Sequence, residues 1–581
     1  MTHYDALVIG AGHNGLIAAC YLARAGRRVL VLERREIVGG ACVTEDVWPG
    51  YRVSTAAYLC SLLHPQIVRD LELERYGFEV YRRETAGFAP FPDGRSLLLH
   101  ADADRTRSAL AEFCRDTPAD VEAFFAFERD VERAAAIVEQ FLLREPPTEA
   151  EVAAAFEREG AAELYPQFVT GSVRALLDAR FQSDALKTVL ATDGLIGTYG
   201  GPSTPGTAYV LLHHYLGRIL GARGAWGYVR GGMGRITQAL AESLRAAGGE
   251  IRTSAPVLRI LREGGRAVGV ALETGEEILA PAVLSNADPY HTFAELLPAE
   301  VLGYSGVQVF GPSGDQAFGQ AGVTAEALPA NVHSLPPTRI TEHLTPYTLK
   351  SHGGASAKIN LAVTELPRFT CLPARPGGEP GPEHLGTVHL CPSLEHLERA
   401  WNEASGGLPS TEPMIEMYVQ TATDRSLAPP GRHILSLFVQ YFPYNLRPGL
   451  DLDVERDRFA DRVIAIIGRY APNVPASIEH RQVLTPCDLE RRFGLTGGHI
   501  FHGDLLPPAL WSERPARGFF GARTPLPGLF LCGSGAHPGG CVFGAPGFNA
   551  ARAVAGSWQM LPDAASNQRP GTINQDPLAR S

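Results

Sequence analysis

The chain has 581 residues, of which 45% are hydrophobic and 20% charged, the balance of a soluble globular enzyme rather than a disordered or fibrous protein. Its net charge of −11 gives no general attraction to nucleic acid or to an anionic membrane. No apolar run of roughly 18 residues marks a transmembrane helix.

The first strand is expected within a few residues of Met1, so no signal peptide is expected, and an odd, scattered set of cysteines fits reduced thiols and an expected cytoplasmic location. The nine cysteines are scattered, with no C-x-x-C spacing, which argues against a dithiol redox site and a structural zinc. No metal is expected.

Residues 5–40, DALVIGAGHNGLIAACYLARAGRRVLVLERREIVGG, hold three features in register. The apolar run Ala6–Ile9 predicts a buried strand, and Gly10, Gly12 and Gly15 follow it as G-x-G-x-x-G. A second apolar run, Val29–Leu32, ends at Glu33. Such a loop turns tightly at its first glycine, brings a pyrophosphate against bare backbone at the second, and packs helix on sheet at the third. The helix N-terminus offers its free N–H groups to the phosphates. Glu33, eighteen residues beyond Gly15, is placed for the ribose hydroxyls and disfavours a 2′-phosphate. The pair Gly39-Gly40 resembles the extended fingerprint of FAD enzymes of the glutathione-reductase type, where the chain passes the pyrophosphate a second time. FAD is therefore expected ahead of NAD.

From about 104 to 190, apolar residues recur at three- and four-residue intervals, as in Pro118–Gln140 and Thr148–Glu159, and predict a helical lobe. After about residue 225 the pattern predicts a helix over Arg235–Ala247, stopped at Gly248-Gly249. Strands follow over Glu250–Thr253 and Ala255–Leu261, then hairpin arms Val268–Glu273 and Glu277–Ala280, and a return to the sheet at Ala282–Ser285. Residues 303–345 read as a long loop or insertion, and Ala357–Val363 as a strand. Read as a strand, GGHIFHG sends His499 and Phe501 to one face and His502 to the other. Leu529–Cys532 predicts a buried strand, followed by a Gly-rich turn and a helix from about Ala545 whose N-terminus suits negative charge on a flavin.

Four motifs carry a family resemblance: the N-terminal fingerprint; PGTAYVLLHHYLG with GAWGYVRGGMG; TGGHIFHGDLLP; and LFLCGSGAHPGGCVFGAPG. Through them the chain resembles the phytoene desaturase and carotenoid isomerase superfamily of FAD proteins. Within it, the chain most resembles the subgroup called pyridine nucleotide-disulfide oxidoreductase domain-containing protein 2, in a bacterial form. The cysteine spacing offers no counterpart to the disulfide in that name. The resemblance implies an α/β fold, with a Rossmann-like FAD-binding lobe of glutathione-reductase type interleaved with an α+β substrate lobe. The expected FAD lobe is 1–70, 225–291 and 522–560; the substrate lobe is 71–224 and 292–521; 561–581 is a mobile tail. The implied chemistry is hydride removal, desaturation or double-bond isomerisation of an elongated apolar, polyene-like molecule in a deep, mostly apolar cavity.

The expected cofactor set is Gly10, Gly12, Asn14, Gly15, Glu33, Arg34, Gly39, Gly40, Ala41, Val257, Gly533, Ser534 and Gly544. Lys358, in SAKINLAV, resembles the strand lysine of flavin amine oxidases that holds a water near flavin N5; the alternative is an outward-facing lysine at a strand start. His502 and His499 are candidates for a proton donor or orienting group, set against hydrogen-bonded structural histidines. His499 stands where the family usually has a small polar residue. His213 and His214 read as core or cavity lining.

Three functions stay open. One is an FAD-dependent oxidoreductase passing electrons to oxygen or a quinone. The others are a non-redox flavin isomerase and an FAD-bound scaffold. An amine oxidase needs an aromatic cage and an acid for the ammonium group, and neither is legible. No nucleic-acid partner is expected, whereas peripheral membrane contact and a homo-oligomer stay open.

Overall fold

A computed structural model describes residues 4–297, 353–373, 375, 378–516 and 519–557. The loop expected at 303–345 and the tail expected at 561–581 lie outside the described residues.

Four short apolar runs and one polar edge strand become one parallel sheet: β1 (Ala6–Ile9), β2 (Val29–Leu32), β3 (Glu250–Arg252, the polar edge), β4 (Ala282–Ser285) and β5 (Leu529–Leu531), in the order β3-β2-β1-β4-β5. Every residue of β1, β2, β4 and β5 is buried. A parallel sheet covered on both faces needs such unbroken apolar runs rather than alternation. One face is covered by α1 (His13–Arg24), α2 (Gly234–Ala246) and α3 (Ala545–Ser557). The other is covered by an antiparallel sheet of Val257–Glu263, Arg266–Leu272 and Glu277–Leu279. The strand expected from Ala255 starts at Val257, because Ser254 takes a left-handed φ of 50° and Pro256 brings no N–H to a ladder.

A second sheet has seven strands, ordered Ile478–Leu484, Ser356–Val363, His433–Gln440, Met414–Tyr418, Thr387–Leu390, Thr85–Pro90 and Ser96–His100. Its two faces divide by sequence parity. Ile359, Leu361, Met417, Leu435 and Leu437 pack with Phe459, Val463 and Ile467 of the helix Leu452–Tyr470. Lys358, Phe438 and His389 face the opposite way, into a cavity. Its walls also include side chains of a helical lobe containing Ala119–Glu139, Asp184–Ala191 and Thr207–His214. The helix Glu149–Arg158 starts on a capping box between Thr148 and Glu151, close to its expected bounds.

The strand expected through His499–His502 does not form. Thr496–Gly498 is a single tight turn, and Gly497, Gly498 and His502 take φ values of 64°, 66° and 56°. Three left-handed residues in this stretch bend the chain away from extension, so the alternation argument for these side chains fails.

Among the described residues no helix is long and apolar enough to cross a membrane.

A Cβ on Gly15 would stand 2.4 Å from the carbonyl oxygen of Gly10. Gly15→Ala is therefore expected to lose about 1–3 kcal/mol through overpacking, together with flavin retention. Urea unfolding beside a flavin count per chain checks this; wild-type stability would show that the approach is not tight.

Candidate active site

The loops leaving β1, β2, β4 and β5 meet at one edge of the parallel sheet. Gly12 caps α1, and a Cβ there would lie 2.6 Å from Asn286 Nδ2, so its backbone must stay bare. Gly39 donates its N–H to the Ala11 carbonyl at 2.9 Å and bridges to Gly12, so the glycine pair does pass beside the first loop. Ala41 then enters the cavity wall. Glu33 is buried, and its carboxylate accepts N–H bonds from Ala11 at 2.8 Å and Arg35 at 2.9 Å. Those bonds fix the carboxylate and leave it lone pairs for hydroxyl donors.

Asn14 donates to Ser534 Oγ at 3.2 Å, tying α1 to the turn after β5. Gly533 lies against the Asn286 carbonyl, and Gly544 lies against Ile17 just before α3. Val257 opens its strand opposite Leu272. Arg34 donates instead to the Arg492 carbonyl at 3.3 Å, on an exposed side of the site.

The residues present fit FAD. Asn14 Oδ1, His13 Nε2 and His502 Nδ1 are buried without a hydrogen-bond partner. His13, Ser534 and His502 line one shared cavity. Buried polar atoms left this way in a native fold call for a ligand or water.

The cavity holds about 730 Å³. Lys358 stands in its wall, only 3% exposed. Its Nζ donates to Ser436 Oγ at 2.8 Å and to Asn360 Oδ1, and lies 5.5 Å from the centre of the Tyr58 ring. Burial without a carboxylate partner pushes its ammonium down to about 7. The outward-facing alternative for this lysine is thereby excluded. Tyr58 packs in turn against Tyr418, ring centres 4.6 Å apart and planes tilted by 37°, and lies 5.9 Å from Phe438.

The two loop histidines differ. His499 is buried; its Nδ1 accepts the Phe501 N–H at 3.3 Å and its Nε2 meets Asp504 Oδ1 at 2.9 Å. Both nitrogens are occupied, and His499 is absent from the cavity wall, so it shapes the loop. His502 does reach the cavity, and burial pushes its imidazole down to about 4, so it is neutral at neutral pH. Its free Nδ1 suits orientation of a ligand better than delivery of an imidazolium proton.

His13, Asn286 and Arg514 were not singled out from the sequence, whereas Cys541, His213 and His214 were. His13 sits inside the fingerprint itself, and Asn286 directly follows a predicted strand. Arg514 is buried and donates to the carbonyls of Asp504 at 2.7 Å, Phe501 at 2.6 Å and Ser534 at 2.9 Å. It stitches the histidine loop to the turn after β5. Cys541 lines the cavity, and burial raises its thiol to about 12, so it is no thiolate nucleophile. His213 and His214 are fully buried on their helix, and His214 reaches the cavity wall. Among the described residues no cluster suits a metal ion.

A family model described as flavin containing amine oxidoreductase matches residues 15–300. The chain is 40% identical to pyridine nucleotide-disulfide oxidoreductase domain-containing protein 2 of Mus musculus, over 95% of this chain and 93% of that protein. It is 29% identical to hydroxyneurosporene desaturase of Cereibacter sphaeroides, over 92% of this chain and 94% of that protein. An oxidoreductase of known structure from Methanosarcina mazei shares the fold with a TM-score of 0.54 and 18% identity, over 96% of this chain and all of that one.

The environment of Lys358 has a consequence for stability. Its pKa is about 7 in the folded chain against an ordinary 10.5, so between these values the unfolded chain binds a proton that the folded chain does not. Stability therefore rises with pH across that window, and the penalty is felt in full below its lower edge. Relative to wild type, Lys358→Met is expected to gain most in melting temperature near pH 6 and least near pH 10, as scanning calorimetry would show. A pH-independent difference would contradict the assignment.

Proposed function

The chain belongs to the family of pyridine nucleotide-disulfide oxidoreductase domain-containing protein 2 and is an FAD-dependent oxidoreductase; we propose that it is of the desaturase or dehydrogenase type. In this reading it removes hydride from an elongated apolar, polyene-like substrate and passes electrons to oxygen or a quinone. The relative named hydroxyneurosporene desaturase, aligned over nearly its whole length, supports that substrate class. We read the nucleotide lobe as glutathione-reductase type, supported by the bridge between Gly12 and Gly39.

The observation that carries the proposal is the placement of Lys358 in the same cavity wall as His13, Ala41, Ser534 and Cys541. FAD, when bound there, supplies a ring that accepts two electrons. The glycine loop and the N-terminus of α1 hold its pyrophosphate, and Glu33 holds its ribose. Asn14 and Ser534 give hydrogen bonds from either side of the cleft. Lys358 presents an ionisable ammonium whose charge adjusts near neutral pH. His502 orients the bound group through Nδ1. The apolar walls, which include Leu62, Phe124, Val189 and Ile196, exclude water from the reacting carbon.

Amine oxidation is a second reading, and specific observations favour it. The aromatic residues Tyr58, Tyr418 and Phe438 gather beside Lys358, and the carboxyl groups of Asp193 and Glu128 face the cavity. The aromatic cage and the acid were not legible in the sequence.

The test is spectroscopic. Purified protein is expected to show flavin absorbance that dithionite bleaches anaerobically and that air or a quinone restores. Lys358→Met is expected to slow reoxidation at least tenfold while keeping flavin bound. Bleaching by a primary amine instead of a polyene would favour the second reading, and absence of flavin after reconstitution would overturn both.

A further inference from the structure

The end of the cavity away from Lys358 has a different chemistry. Across adjacent strands, Lys358, Phe438, Glu416 and His389 stand in one row, as the register Lys358–Phe438, Phe438–Glu416 and Glu416–His389 dictates. With strands about 4.8 Å apart, His389 lies roughly 14 Å from Lys358 along that row. His389 Nδ1 meets Thr192 Oγ1 at 3.1 Å, and the next residue, Asp193, lines the cavity.

Arg83 is in the same wall and is only 8% exposed. Its Nη1 donates to Thr387 Oγ1 at 3.1 Å and its Nη2 to the Ala86 carbonyl at 2.8 Å. Its Nε is buried with no partner. The Asp193 carboxyl makes no hydrogen bond or ion pair among the described residues. Glu416 is completely buried; its Oε2 accepts the Tyr418 hydroxyl at 2.6 Å, and its Oε1 has no hydrogen-bond partner and lies 3.6 Å from His389 Nδ1. Thus the fixed Arg83 donor and the Asp193 acceptor remain unsatisfied in a wall that also carries Arg82, Glu128, Arg129, Glu132 and Arg223. Burial raises Asp193 to about 6, Glu128 to about 7 and Glu416 to about 8, as expected for carboxyl groups that have lost water and gained little in return.

We propose that Asp193 and Arg83 form a receptor for an uncharged hydroxyl group at one end of an elongated apolar ligand. The inference rests on reading this cavity as the substrate chamber, and it narrows the substrate class to an oxygenated chain. A hydroxyl donates to Asp193 and accepts from Arg83 Nε at once. An ammonium only donates and meets the Arg83 guanidinium. A carboxylate only accepts and meets Asp193, with Glu128 and Glu416 near. A bare hydrocarbon end leaves both groups dry and unpaired, which costs free energy. The carbon that reacts is then the one held near Lys358, set by chain length from the anchored end.

Displacement of the apolar polyene dye diphenylhexatriene from the FAD-loaded protein tests the receptor, with dodecane, dodecanol, dodecylammonium and dodecanoate as competitors. Trp226 in the cavity wall gives a second, fluorescent readout. Dodecanol is expected to compete about tenfold better than dodecane and better than either ion. Asp193→Leu is expected to abolish the alcohol preference and Asp193→Asn to retain most of it, both with wild-type flavin content as the control for folding. Equal competition by dodecane and dodecanol, or a preference for the ammonium or the carboxylate, would overturn the receptor while leaving the chamber intact. Failure of the dye and all four competitors to bind would overturn the receptor and the chamber together.

Discussion

Lys358 carries its ammonium into the cavity with an amide, a hydroxyl and a phenol ring about it and no carboxylate in contact. Taking such a charge out of water is costly, and a carboxylate would ordinarily offset the cost. Here the partners are neutral dipoles, so the charge stays free to respond to whatever occupies the cavity. Much of the surrounding arrangement follows from that condition. Asn360 is held by the Thr55 carbonyl and Gln482, and so keeps its oxygen turned to the lysine. Tyr58 is held by Tyr418, whose hydroxyl is fixed by Glu416.

The sheet supplies the precision. Odd-numbered residues of Ser356–Val363 are committed to the helix Leu452–Tyr470, and a one-residue slip would exchange that core for Lys358 and Asn360. The hydrophobic packing of the far face therefore fixes the direction of the lysine. On the opposite side of the cavity, Arg514 performs the comparable task for backbone. Its guanidinium binds three carbonyls from two loops, and burial lowers it to about 10, still protonated at neutral pH. The cavity is thus bounded by a sheet set by apolar register and by loops set by one buried cation.

The nucleotide cradle was legible in the sequence because its rules are local. A continuous apolar run, glycines at fixed offsets and an acid at the next strand end each act within a few residues. The position of Lys358 was legible too, but its direction was not, since strand parity is decided by a helix about a hundred residues away. The misreading of His499–His502 has the opposite origin. Gly497 and Gly498 take left-handed conformations, a local signal in the sequence that outweighs alternation over so short a stretch. Tyr58 and Asp193 come from separate elements, and only the folded chain brings them to one chamber, with Glu416 buried behind Tyr418. Glu416 alone carried a hint, as a charge inside the otherwise buried strand MIEMY.

A pH titration of the flavin absorbance spectrum, wild type against Lys358→Met, tests the central claim most directly. Wild type is expected to show a spectral change with a midpoint near 7, from loss of the Lys358 charge in the cavity that would hold the flavin, and the variant a flat response. An identical titration in both proteins, or a wild-type spectrum unchanged from pH 5 to pH 10, would contradict it.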